Sequence, residues 1–188
     1  MCDESSVKDA IAFVVEQLGR LDGAFNNAGA GGVWSPLHEC DAETFDRVLA
    51  TNLRGVSLCM KYEIAAMLET GGGAIVNTSS IGGLVGFKGN SIYASSNWGL
   101  AGLTKCAALD YARENIRVNA IAPGPTRSEM FDGLMSTDEA RAAVAEATPM
   151  NYIAHPQDVA RAALFLLSDE SRWTTGIVLP CEGGLSVD

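Results

Sequence analysis

The stretch Gly71-Gly-Gly-Ala-Ile-Val-Asn-Thr-Ser-Ser80 decides the fold class. Three glycines make a turn, Ala74 to Thr78 is a short apolar run of the kind buried in a sheet, and the run closes on hydroxyl side chains. Before it, residues from about Ala42 to Leu68 read as a helix behind Asp41, a side chain suited to an N-cap. After it, a helix from about Ser91 to Arg113 leads to a second apolar run, Ile116 to Ile121, which Pro123 and Gly124 end.

The same alternation continues to both ends. Val7, Ile11, Val14, Val15 and Leu18 sit at helical spacing over residues 4 to 18, with Asp3 as N-cap and Gly19 as stop, and a strand from Leu21 to Phe25 follows at once. At the other end, a helix from Pro156 to Ser168 leads to a last strand, Ile177 to Leu179. Helices alternating with short apolar strands require crossover connections and a parallel sheet covered on both faces. The expectation is a single α/β domain over residues 1–188 with a doubly wound parallel sheet. Residues 122 to 150 form the longest irregular stretch, with room for one or two short helices; it is either a substrate lid or an ordinary surface excursion.

Bulk properties narrow the function classes. With 13 Lys+Arg against 23 Asp+Glu the net charge is −10, and no basic run could track a phosphate backbone, which argues against nucleic acid. No stretch approaches the ~20 apolar residues of a membrane span, and Met1 is followed by Cys-Asp-Glu, so the expectation is a cytoplasmic protein. Cys2, Cys40, Cys59, Cys106 and Cys181 are scattered without a CxxC pair, which suits reduced thiols. His38 and His155 are too isolated to suggest a metal site.

In a doubly wound sheet, ligands collect beyond the carboxyl ends of the strands. Here those ends read Asn26-Asn-Ala-Gly29, Thr78-Ser-Ser80 and Pro123-Gly-Pro-Thr126. Glycines admit a ligand close to the backbone, and hydroxyls and amides supply hydrogen bonds. Each taken alone is more often a plain turn.

Together they carry more. Asn26-Asn-Ala-Gly29, Asn52, Ser80, Tyr93 thirteen positions on, Pro123-Gly124 and the closing Cys181-Glu-Gly-Gly184 resemble, in order and spacing, the short-chain dehydrogenase/reductase family, with Glu182 where Asp is common. The resemblance covers essentially the whole chain and implies a Rossmann-type fold. It implies that Tyr93 exchanges a proton with the substrate oxygen, that Ser80 polarises the carbonyl and that Asn52 holds a water in a proton relay. It further implies that Asn27, Ala28, Gly29, Pro123, Gly124 and Thr126 line a nicotinamide cofactor, NAD or NADP. Read from the residues alone, Asn52 could instead satisfy backbone groups in its helix, Tyr93 could be a packed aromatic, and Ser80 could cap a loop.

Two features depart from the resemblance. The family places lysine four positions after the tyrosine, on the same helix face, and Asn97 stands there. That cation lowers the tyrosine pKa and binds the nicotinamide ribose, and an amide carries no charge. Lys105 lies twelve positions past Tyr93, about 18 Å along a helix, and Lys88 sits in a loop; neither is expected to substitute. The second departure is that the family's first strand, glycine-rich pyrophosphate turn and following strand, on the order of 60 residues at 30-odd per βαβ unit, do not precede Asp3. Gly29-Ala-Gly-Gly32 follows a strand but leads to Val33-Trp-Ser-Pro36 instead of a helix, and Gly82-Gly83 leads into a loop. The sheet is therefore expected to be incomplete, with the Leu21 to Phe25 strand as an exposed edge that invites pairing.

Three readings follow. The first is an NAD(P)-dependent oxidoreductase interconverting small alcohols and carbonyls, weak or inactive in this chain. The second is a non-catalytic interaction module that forms a homo-oligomer or associates with a relative. The third, a serine hydrolase using Ser80, Gly82 and His155, is disfavoured because position 78 is Thr where a nucleophile elbow needs Gly. Phe87, Met130, Phe131 and Met135 lie in the segments that would shape a pocket, where they either meet an apolar ligand or serve packing.

Overall fold

A computed structural model describes residues 2–187. Helix α1 (Glu4–Leu18) begins where the Asp3 side chain accepts the Ser6 N–H, and it ends at Gly19, whose φ of 82° closes the last turn in the left-handed region. Strand β1 (Gly23–Asn26) follows. The expected long second helix is instead α2 (Ala42–Leu49), a π-helical turn (Ala50–Gly55) and α3 (Val56–Thr70). The wider turn puts an extra residue into the helical ladder, which apolar periodicity does not reveal. Gly71 and Gly72, at φ of 89° and 121°, turn the chain into β2 (Gly73–Thr78). A Cβ on Gly72 would lie 2.3 Å from the Asn115 carbonyl oxygen, so only glycine fits there.

Helix α4 (Ser91–Tyr111) leads to β3 (Ile116–Pro123). The irregular stretch holds α5 (Glu129–Leu134) and α6 (Asp138–Ala147), capped by Ser128 and Thr137. Helix α7 (Pro156–Leu167) precedes β4 (Val178–Cys181). The four strands pair in the order β1-β2-β3-β4, all parallel. Sequential parallel pairing with a helical crossover between each pair gives the α/β class expected.

Alternate strand residues feed two layers. Ile75, Ile116 and Val118 pack with Val56, Met60, Ile64, Met67 and Leu100 beneath α3 and α4, and Ile11 and Val14 of α1 pack on this layer. Val76 and Ile121 point to the other face, where Ala163 and Leu166 of α7 cover them. Each fully buried aliphatic side chain contributes ~1.5–3 kcal/mol. Arg117 joins the second layer to the chain beyond it by donating to the carbonyls of Leu166, Leu167, Ser168 and Thr174. Among the described residues no helix is long and apolar enough to cross a membrane, and no cluster of His, Cys, Asp and Glu could hold a metal.

Candidate active site

The strand register sets the candidate residues side by side. Asn26 is level with Asn77, Thr78 with Ile121, and Pro123 with Cys181, so the three polar strand ends open on one edge of the sheet. Thr78 Oγ1 donates to Asn27 Oδ1 at 2.9 Å and ties two of those ends together. Asn27, Ala28 and Gly29 are exposed there.

Ser80 follows β2 in extended conformation and is 9% exposed. Its Oγ accepts the Gly82 N–H at 3.1 Å, capping the short 3₁₀ turn Ile81–Gly83. Accepting that bond leaves the hydroxyl proton free to donate to a substrate oxygen. Tyr93, in the first turn of α4, is half-buried. A Cβ on Gly82 would sit 3.5 Å from Tyr93 Cδ1, 3.6 Å from its Cε1 and 3.6 Å from Ser80 Oγ. The hydroxyl and the ring thus flank one small gap, which exists because position 82 has no side chain. Gly32 presses on Tyr93 from the β1–α2 connection, with its Cβ position 3.6 Å from Tyr93 Cβ. Met130 of α5 reaches 3.9 Å from the corresponding point at Gly31, so the irregular stretch folds against the same connection.

Asn52 lies in the π turn and is 5% exposed. Its Oδ1 accepts the Ala30 N–H at 2.7 Å, and its Nδ2 donates to the Ala30 carbonyl at 2.9 Å and to Ser96 Oγ at 3.1 Å. Ser96 Oγ in turn donates to the Tyr93 carbonyl. The amide therefore satisfies backbone groups of the β1–α2 connection, not of its own helix, and fastens that connection to α4.

Asn97 is 3% exposed, and its Nδ2 donates to the Tyr93 carbonyl oxygen at 2.9 Å. The side chain is bent back onto its own helix and held there by Gly83, where a Cβ would come within 3.1 Å of Asn97 Cβ and 2.7 Å of Ser79 Oγ. Among the described residues no lysine or arginine hydrogen-bonds to Tyr93 or Asn97: Lys61 pairs with Glu4 at 2.7 Å on the far helices, and Lys88 and Lys105 are exposed.

At the end of β3, Gly124 N–H donates to the Cys181 carbonyl at 3.0 Å, and a Cβ on Gly124 would meet Glu182 Cα at 2.7 Å. Thr126 Oγ1 donates to the Gly124 carbonyl at 3.1 Å, and Thr126 bridges to Ala154. His155 stands at the start of α7 and shares no hydrogen bond with Ser80, so the hydrolase grouping of Ser80 and His155 does not assemble.

Beneath the edge runs a buried polar chain that sequence reasoning did not single out. Asn26 Nδ2 donates to Glu63 Oε2 and to Asn77 Oδ1, both at 3.0 Å, and Asn77 Nδ2 donates to Thr104 Oγ1 at 3.1 Å. Glu63 is 4% exposed, and burial pushes its carboxyl up to about 7, against the opposing effect of the Asn26 bond. Asn26 was legible only as part of its motif. Glu63 shares a face of α3 with Met60, Ile64 and Met67, a spacing that could have marked it as buried.

A family model described as enoyl-(acyl carrier protein) reductase matches residues 1–186. The A-factor type γ-butyrolactone 1'-reductase (1S-forming) of Streptomyces virginiae is 46% identical over 180 residues, which span 95% of this chain and 70% of that protein. The chain belongs to the short-chain dehydrogenase/reductase family. Among solved members, levodione reductase superposes with a TM-score of 0.96 at 36% identity, covering 99% of this chain and 74% of that one. NAD+-bound xylitol dehydrogenase superposes at 0.93 with 31% identity, over 97% and 76%. The parallel α/β sheet is thus the Rossmann-type sheet of this family.

Proposed function

We propose that the chain carries the substrate-side machinery of an NAD(P)-dependent oxidoreductase interconverting a small alcohol and a carbonyl, and that it is weak or inactive because Asn97 supplies no cation beside Tyr93. In this reading Ser80 donates its free hydroxyl proton to the carbonyl oxygen, and Tyr93, across the Gly82 gap, exchanges the proton that oxygen gains or loses. Asn52 keeps the β1–α2 connection fixed against α4, which holds Tyr93 in position.

The nicotinamide cofactor supplies the hydride when bound. Asn27, Ala28, Gly29, Pro123, Gly124 and Thr126 would hold it. Small exposed residues at the end of β1 and half-buried ones at the end of β3 fit a flat ring approaching the backbone closely, while Gly124 lets the end of β3 pack against Glu182. What the donor set lacks is a charge: position 97 offers an amide already committed to the Tyr93 carbonyl. That is the observation on which the reading of weak activity rests. Titrating NADH and NADPH fluorescence and following turnover with a small ketone tests it; tight binding with ordinary turnover removes the claim of weakness.

A non-catalytic interaction module is the second reading. In this reading the chain forms a homo-oligomer or joins a relative. Sedimentation as a monomer at micromolar concentration counts against it.

A further inference from the structure

Away from Ser80, Tyr93 and Asn97, none of which lines it, a cavity of about 490 Å³ opens where the end of β4 meets the segment between α6 and α7. That volume falls within the ~300–1,000 Å³ of small-molecule sites. Its walls include Met150, Tyr152, Val159 and Cys181, and its carboxyl groups are Asp158 and Glu182. The two acids differ. Asp158 accepts the His155 N–H at 2.9 Å and has Arg161 as a cation at 3.7 Å. Glu182 is 8% exposed and has one partner, the Ser186 N–H at 3.0 Å on Oε2. Among the described residues nothing donates to its Oε1, and no lysine, arginine or histidine lies within ion-pair distance.

The site is rigid. Gly183 and Gly184 take φ of 70° and 95°, wrapping the turn around the carboxyl group. A Cβ on Gly183 would meet Thr148 Cγ2 at 2.6 Å, and Met150 N–H donates to the Gly183 carbonyl at 3.1 Å. Both walls are thereby fixed against each other. The Cys181 thiol is pushed up first by burial and then by the adjacent Glu182 charge, so that charge is felt inside the cavity.

We propose that this cavity is a second binding site, which takes a small organic ammonium ion with an apolar body and uses Glu182 as its counter-ion. Glu182 has no cation within ion-pair distance among the described residues and keeps Oε1 without a donor, so a ligand ammonium donating to Oε1 supplies a partner that the fold does not. Tyr152 offers a ring face and Met150 a polarisable thioether to the body of such a ligand. The net charge of −10 favours the approach of cations over anions.

The test uses the intact chain with benzylamine and, as its neutral counterpart, benzyl alcohol, followed by calorimetry and by amide chemical-shift mapping. Benzylamine is expected to bind at least tenfold more tightly than benzyl alcohol, with shifts centred on residues 148–154 and 180–184. Glu182→Gln is expected to remove that tenfold preference. Should Glu182→Gln fail to fold, Met150→Lys, at a position 60% exposed, places a competing ammonium at the mouth and is expected to weaken benzylamine by a similar factor. Equal binding of amine and alcohol, unchanged affinity in the variant that folds, absence of binding, or shifts centred on Ser80 and Tyr93 would each overturn the proposal.

Discussion

Replacing Glu63 by glutamine should make the fold more stable at neutral and alkaline pH and leave it unchanged in mild acid. The carboxyl is buried, is not paired with a cation and accepts one bond from Asn26, and its affinity for a proton is raised from an ordinary 4.5 to about 7. A raised folded-state value means that the native chain holds the proton longer than the unfolded chain. The stabilisation is therefore complete below 4.5, is lost as the pH climbs to about 7, and stays lost above it. At ~1.4 kcal/mol per tenfold change in proton affinity, ionised Glu63 costs the native state ~3 kcal/mol. A glutamine at this position would still accept from Asn26 Nδ2 through its carbonyl oxygen and would never ionise.

With a urea slope of ~2 kcal/mol/M, the midpoint difference between Glu63→Gln and the parent should grow from near zero at pH 4.5 to ~1.5 M at pH 8. Taking the difference cancels the exposed carboxylates Asp3, Glu4 and Asp41, whose hydrogen bonds hold them low and whose stabilisation is lost only as pH falls. A midpoint difference that stays flat across this range would refute the reasoning.

Three other outcomes follow from packing and hydrogen bonding. Gly83→Ala brings a Cβ to 2.7 Å from Ser79 Oγ and 3.1 Å from Asn97 Cβ, and should cost ~1–3 kcal/mol in urea unfolding through overpacking. Gly82→Ala meets only ordinary contacts at 3.5 to 3.6 Å, so its unfolding midpoint should hold while any substrate analogue that enters the gap between Ser80 and Tyr93 binds less tightly. Arg117→Leu takes the donor from the Leu167 carbonyl and one of two or more donors from the carbonyls of Leu166, Ser168 and Thr174, which Ser171 and Asn119 also reach, and should destabilise by ~1–3 kcal/mol, the cost of one buried acceptor left unpaired.

What was legible in the sequence follows local physics. The ends of α1 were fixed by Asp3 and Gly19, and β2 and β3 by apolar runs between glycine, asparagine and proline; β2 starts one residue before the expected Ala74, and β3 continues past the expected Ile121 to Pro123, where it pairs with Cys181. Strand β1 runs Gly23–Asn26 instead of starting at Leu21, because Leu21 is buried ahead of the strand in the α1 layer without pairing. The π turn at Ala50–Gly55 left no periodic trace because it shifts a ladder by one residue within apolar sequence.

The strand-end residues Asn27, Ser80 and Pro123–Thr126 were found through topology and resemblance together. The neighbours that shape their surroundings were not. Gly32 and Gly82 were visible only as weak candidates for phosphate binding, and their role as the two sides of the Tyr93 slot depends on long-range contacts. Glu182 sits in a turn without periodicity and looks like an ordinary surface acid, whereas Glu63 stands at helical spacing with Met60 and Met67 and was passed over although the pattern placed it on the apolar face.

The most direct measurement is steady-state oxidation of NADH and NADPH by the parent chain with a small ketone, alongside Tyr93→Phe. A typical enzyme works near ~10 s⁻¹, and a compromised proton donor forfeits ~10²–10⁴ of that. Turnover of at most ~0.1 s⁻¹ is expected, lowered further or left undetectable by Tyr93→Phe. Turnover of several per second that Tyr93→Phe abolishes would show that Asn97 serves as well as a cation, and would contradict the proposed weakness.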